Sequence, residues 1–206
     1  MTSLPMIIGA VRGLVSDGKK VATIIESYRP DIVGLSVSKE GLEAMGKMDH
    51  TSNKPTNVEE KIYIRGLSTF GKVIKPPPCF SEALKQANSL KIQVKPLDMD
   101  DEHFTAAFCK YVNTLDMIKQ GRRGKAFSKY VFRAKTPNEF VIEWDRLVNR
   151  LEGYKALESA REKWLAKGIY KLSENYSRPL IIIEFERLGG VQRYLKAMGM
   201  DFQVIH

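Results

Sequence analysis

Histidine and cysteine, the side chains that most often hold metals or run nucleophilic chemistry, are scarce in this 206-residue chain: three of one and two of the other. Cys79 and Cys109 are not in CxxC spacing, which argues against a disulfide framework or a zinc cage and leaves buried thiols as the plain reading. His50 falls in a polar loop, His103 in the first turn of an expected helix, and His206 ends the chain, so no histidine stands beside a nucleophile. There is no Gly-x-Ser-x-Gly elbow, no P-loop and no dinucleotide fingerprint. Long apolar runs are missing too: none approaches the roughly 20 residues of a membrane span. The opening MTSLPMIIGAVRG has no basic region ahead of its short apolar run, so we expect a cytoplasmic protein without a membrane partner. Acid is absent over one stretch. Lys119, Arg122, Arg123, Lys125, Lys129, Arg133 and Lys135 follow one another with no Asp or Glu between them, and these seven supply most of the formal charge of +9.

The remainder is the composition of a globular chain, 43% hydrophobic and 28% charged, with a length that suits one domain over residues 1–206. Met6–Ala10 and Ile32–Val37 read as buried strands. Between them Asp17 is placed to cap a helix faced by Val21, Ile24, Ile25 and Tyr28, and Pro30 ends it. That order implies a βαβ unit with parallel pairing. Ser38-Lys39-Glu40-Gly41 then opens a short helix carrying Leu42 and Met45. His50–Thr56 is a polar loop. Val58–Phe70 leans to a helix. Pro76–Pro78 delivers the chain to a helix faced by Phe80, Ala83, Leu84 and Ala87, and Lys91–Leu97 is a third strand. One long helix carrying Phe104, Phe108, Tyr111, Val112 and Leu115 follows. Thr136–Glu139 is a capping box for another, and a further helix runs from about Tyr154 to Tyr176. Residues from about 100 to 176 thus form an inserted helical part. The last strand lies in PLIIIEFERLGG: Leu180–Ile183 is apolar on both faces, and the chain then passes through Glu184, Glu186 and Arg187 into a Gly-Gly turn and a helix.

The fold class that follows is α/β, a mostly parallel central sheet with flanking helices and an inserted helical subdomain. In such a sheet the carboxyl ends of the strands share one edge. Arg12, Ser36, Asp98, Glu184, Glu186 and Arg187 come from four strand ends and are expected to meet there. Arg161 joins them from the long helix. At about 100° per residue it falls near the centre of the stripe made by Leu157, Trp164, Leu165, Ile169 and Leu172. A guanidinium in that position needs a carboxylate, carbonyls or a ligand. Asp98–His103 has the look of a hard-metal cluster, but an Asp there equally caps the next helix, and no EF-hand pattern is present. Phe127, Tyr130 and Phe132 interleave with the basic stretch, so a nucleic-acid surface is conceivable there; a solvated face or docking loop is the favoured reading.

Three blocks carry a resemblance. MIIGAVRGLVSDGKKVATIIESYRPDIVGLSV, ALESAREKWLAKGIYKL and RPLIIIEFERLGGVQRYLKAMG resemble, in order, the opening strand and turn, the late helix and the final strand and turn of the TraB family. That family includes the pheromone-shutdown proteins and, more distantly, the Tiki proteases and erythromycin esterases. The resemblance covers under half of the chain. It implies a Gly-x-x-His turn after each of the two strands, with metal-binding histidines in the Tiki branch. Here the first histidine position holds Arg12 and the second Arg187, while Ser36 stands where the family places a glutamate. Only Arg161 keeps the pattern. Arginine has no lone pair for a metal, so no metal and no cofactor is expected. The expected function is therefore a TraB-like protein with degenerate metal motifs. It binds a small anionic or peptide ligand in an arginine-rich crevice, in a regulatory role. The alternatives are a hydrolase or transferase with Glu184 or Glu186 as base, and nucleic-acid binding through Lys119–Lys135. A homo-oligomer is compatible with the sequence.

Overall fold

The computed structural model describes residues 4–47 and 54–205; for 124–126 only the backbone is described. His50, His206 and most of the His50–Thr56 loop lie outside the described residues. The elements in chain order are β1 (Met6–Ala10), α1 (Val15–Tyr28), β2 (Ile32–Leu35), α2 (Lys39–Gly46), α3 (Val58–Leu67), α4 (Pro78–Ser89) and β3 (Gln93–Pro96). Then come α5 (Asp101–Tyr111), α6 (Thr114–Phe127), α7 (Pro137–Val148), α8 (Glu152–Asn175), β4 (Pro179–Glu184), α9 (Phe185–Ala197) and β5 (Gln203–Ile205). Every strand pairing among them is parallel, in the order β3-β2-β4-β1-β5. The fold is α/β with a parallel sheet.

β4 sits at the centre of that sheet, and Leu180–Ile183 are fully buried. Alternate residues serve two cores, as the period of two along a strand requires. Ile181 and Ile183 join Ile7 and Ile32 under α8 and α9. Leu180 and Ile182 join Ile8, Val33 and Leu35 under α1 and α4. A third cluster (Val11, Leu14, Tyr63, Leu67, Phe140, Val141, Trp144) ties α3 and α7 to the turn after β1. α8 supplies Leu165, Ala166, Ile169 and Leu172 to the first core, so this helix is one of the layers that cover the sheet.

Four local readings need correction. β1 and β2 are not neighbours: the late strand β4 enters between them and pairs with both. Its six buried residues need two flanking strands, a demand that the order β1-α1-β2 cannot reveal. Asp17 does not cap α1, whose N-cap is Leu14; its carboxylate accepts from the Val11 N–H at 2.6 Å and so braces the turn after β1. The expected long helix after β3 is two, α5 and α6, broken at Val112–Asn113, where Asn113 accepts from the Asp116 N–H at 2.8 Å. Gly189 and Gly190 form no turn. α9 starts directly at Phe185, and both glycines lie inside it. A Cβ on Gly190 would overlap the Glu162 carboxylate of α8, so glycine there permits close packing of the two helices.

The caps after β2 and β3 follow the sequence. Ser38 accepts from the Gly41 N–H at 3.0 Å to open α2, and Asp100 from the His103 N–H at 2.8 Å to open α5. Thr136 caps α7, with Glu139 reaching back to the Lys135 N–H rather than to Thr136 itself.

Candidate functional site: a charged crevice at the strand ends

After β1 and β2 the chain leaves towards the face covered by α1 and α4, whereas after β4 it leaves towards the face of α9. Connections that depart to opposite faces open a crevice at the carboxyl ends of the strands between them. A cavity of about 400 Å³ lies there, lined by Arg12, Ser36, Asp98, Arg161 and Glu184, with Val37, Met45, Phe80, Met99 and Phe104 as its apolar wall. Five of the seven residues singled out by the sequence thus line one cavity. Arg187 and Glu186 do not line it, but Arg187 neighbours Glu184, and Glu186 acts electrostatically on Arg12 and Glu184.

The charges form a chain of pairs. Ser36, buried at the end of β2, donates its hydroxyl to Glu184 Oε2. Glu184 in turn lies 3.8 Å from Arg187 Nε. Arg187 donates to Glu158 Oε2, and Arg161 reaches the other oxygen of Glu158 at 3.2 Å. Arg161 also binds Asp98 through both Nε and Nη2, so its place in the apolar stripe of α8 is met by two carboxylates. Its guanidinium carbon stands 5.5 Å from the centre of the Phe104 ring. Glu158 is the residue that sequence reasoning missed. Its only signal was the Glu158-x-x-Arg161 spacing, which puts both on one side of a helix.

Burial works against the charges of Glu184, Glu158, Arg187 and Glu186, and the neighbours decide the outcome. Desolvation would raise the Glu184 carboxyl, but Arg187, Arg12 and Arg161 hold it below its ordinary value. The same contest, with Arg187 and Arg161, keeps Glu158 low. Arg187 is held above the usual guanidinium value by Glu158 and Glu184 despite its burial. Glu186 goes the other way. Burial outweighs the pull of Arg12, the negative charge of Glu184 adds to it, and the carboxyl is pushed up to about 7. Its Oε2 is buried with no hydrogen-bond partner among the described residues. Burial likewise pushes up the Cys79 thiol near Glu184, which makes it inert as a nucleophile.

Arg12 differs from the other two arginines. It alone among the seven residues is exposed, a side chain lying along the wall of an open crevice. No carboxylate among the described residues is within ion-pair distance of its guanidinium. Desolvation opposes its charge, yet Glu186 and Glu184 act from farther off and hold its pKa above the usual value. Its backbone carbonyl accepts from the Tyr63 hydroxyl at 2.7 Å, and its guanidinium lies 6.0 Å from the centre of the Tyr63 ring. Beyond it a second cavity, of about 360 Å³, is lined by Arg12, Tyr63, Val73, Lys75, Pro77 and Trp144 among others. Arg12 and Pro77 border both spaces.

A metal does not fit this donor set. Arg12 and Arg187 offer no lone pair, and Asp98, Glu158 and Glu184 already face guanidinium groups. His103 is turned away, in a 2.6 Å contact with Asp100 and against Trp164. Among the described residues no group of three or more His, Cys, Asp and Glu side chains is placed to hold an ion.

Fold and site together define a class: a parallel α/β protein with a charged crevice at the carboxyl edge of its sheet. The comparisons with known proteins add no narrower identity, since no family model and no curated protein matches the chain. Among the described residues no helix is long and apolar enough to cross a membrane.

Proposed function

We propose that the chain binds a small ligand through one anionic group, a carboxylate or a phosphate, seated on Arg12. One observation carries this reading. Of the three arginines gathered at the crevice, two are engaged by carboxylates, while Arg12 lies exposed where two cavities meet. An unpaired guanidinium fork is suited to two parallel hydrogen bonds from such a group. The acids nearby favour a ligand that also offers donors: Glu184, Asp98 and Asp101 line the same space as Arg12. A peptide end or an amino acid derivative has both features. We also propose that the protein is a divergent, regulatory relative of the TraB family. In support, Arg12 and Arg187, which stand at the two histidine positions of that resemblance, follow adjacent strands paired at Ala10 and Glu184.

Titration calorimetry with inorganic phosphate, succinate and alanylalanine tests the binding site. Wild type should bind at least one of them, and Arg12→Gln should weaken it about 10- to 100-fold, the worth of a charge-assisted pair. Equal binding by the variant, or no binding of any probe by wild type, defeats the reading.

A hydrolase or transferase is the second reading, favoured by the Glu186 carboxyl near 7, the range in which general acid–base groups work. Glu184, held low and bonded to Ser36, is the weaker base. Turnover of esters, peptides or phosphate esters that falls with Glu186→Gln would favour this second reading over simple binding.

A further inference from the structure

The helix α6 is inside out. Taking Asp116 as the reference, Gln120, Arg123 and Phe127 fall within about 40° of it on the helix, while Leu115, Ile118 and Arg122 lie about 100° to 160° away. The structure turns the polar side inward. Asp116 is buried against Gly153 in the first turn of α8, where a Cβ would collide with it. Gln120 donates to Glu59 at 3.4 Å, and Arg123 donates to the Leu147 carbonyl at 3.0 Å while lying over the Phe127 ring. The aliphatic residues are left outside: Leu115 is 65% exposed, Met117 50% and Ile118 47%.

The segment that follows repeats the arrangement without a helix. Tyr130 donates to Glu143 at 2.9 Å, the N–H groups of Arg133 and Ala134 bind the same carboxylate, and Phe132 packs edge-on against Phe140. These anchors hold the irregular stretch against α7 and leave Val131 80% exposed. Of the ten large hydrophobic side chains exposed among the described residues, five lie between Leu115 and Val131. The acid-free stretch from Lys119 to Lys135 overlaps it, with Lys119, Arg122, Lys129, Arg133 and Lys135 exposed.

We propose that α6 and the segment to Lys135 form a docking surface for an anionic lipid bilayer, lying on it and not crossing it. Basic side chains match acidic headgroups, and aliphatic side chains of this size enter the boundary between headgroups and acyl chains. A nucleic acid would use the charges but has no use for Leu115, Met117, Ile118 and Val131, which do not stack on bases. The proposal is independent of the ligand site.

Vesicle co-sedimentation of the full chain tests it, with phosphatidylcholine alone and with about one third phosphatidylglycerol. Wild type should partition at least about tenfold more onto the anionic vesicles, and binding should fall as salt rises. Leu115→Ser with Ile118→Ser and Val131→Ser should lower that partitioning about tenfold or more with an unchanged melting temperature, because these side chains support no core. Failure of wild type to sediment with anionic vesicles would overturn the proposal. So would undiminished binding by the serine variant, or a higher affinity for a single- or double-stranded oligonucleotide than for the vesicles.

Discussion

The crevice and the α6 segment are both rich in arginine and lysine, and they use the charge in opposite ways. In the crevice Arg161 and Arg187 share Glu158 and draw in Asp98 and Glu184, so the cations are spent inside the molecule. Around α6 only Arg123 is turned inward, to a carbonyl, and the other described cations face solvent with exposed aliphatics between them. A basic count therefore says little about a partner until it is known which cations already have one. Arg12 belongs by position to the first region and by behaviour to the second.

The comparison breaks most severely at Glu158. Glu158→Ala strips a partner from both Arg161 and Arg187, and loss of one member of a buried pair costs about 3–5 kcal/mol. Urea unfolding should register that loss; a cost under about 1 kcal/mol would mean the pairs behave as surface pairs. Arg161→Ala should follow closely, since Asp98 then keeps a largely buried carboxylate without its guanidinium. Arg161→Met, which fills the space beside Leu165 and Phe104 but carries no charge, should be no better unless Asp98→Asn is added.

Glu186 sharpens the contrast through pH. Its carboxyl binds a proton more tightly folded than unfolded, so the folded state holds more protons between about 4.5 and 7. Stability from this group is full below the unfolded value and is lost as pH rises through about 7. Glu184 and Glu158 have the opposite sign: their stabilisation is present above the ordinary carboxyl value and is lost as pH falls below it. Glu186→Gln should gain on the order of 1–2 kcal/mol at pH 8 relative to wild type and little at pH 5, read from denaturant midpoints at the two pH values. An equal shift at both would rule out the assigned titration.

The smallest effects are expected where charge is free. Arg12→Gln should change stability by less than about 1 kcal/mol while altering anion binding. Lys129→Gln with Arg133→Gln should stay within about 0.5 kcal/mol of wild type. A large destabilisation from either would place those cations in the first region after all.

Much of this was legible in local pattern. Four consecutive apolar residues told of a strand buried on both faces, and Leu180–Ile183 are so. Ser38, Asp100 and Thr136 signalled the caps they make, because a cap is a contact over three residues. Parallel strand ends were enough to bring Arg12, Ser36, Asp98 and Glu184 to one cavity, which Arg161 joins from α8. Local pattern misled where a distant partner decides. Asp17 had the look of a cap but serves the Val11 N–H, and Gly189–Gly190 had the look of a turn but lie inside α9, where Gly190 meets Glu162 of α8.

What the amino-acid order determined by itself was periodicity, capping and the sign of charge along the chain, all set within a few residues by backbone geometry. The tertiary structure alone decided which charges meet. Only when β4 enters between β2 and β1 does Glu184 come beside Ser36, 148 positions away in sequence. Only when α8 packs across the sheet does Glu158 fall between Arg161 and Arg187 and leave Arg12 over. The face that α6 turns outward was likewise settled by its neighbours: Asp116, Gln120 and Arg123 found partners on α8, α3 and α7 and Phe127 packed against Trp144, while Leu115, Met117 and Ile118 were left exposed.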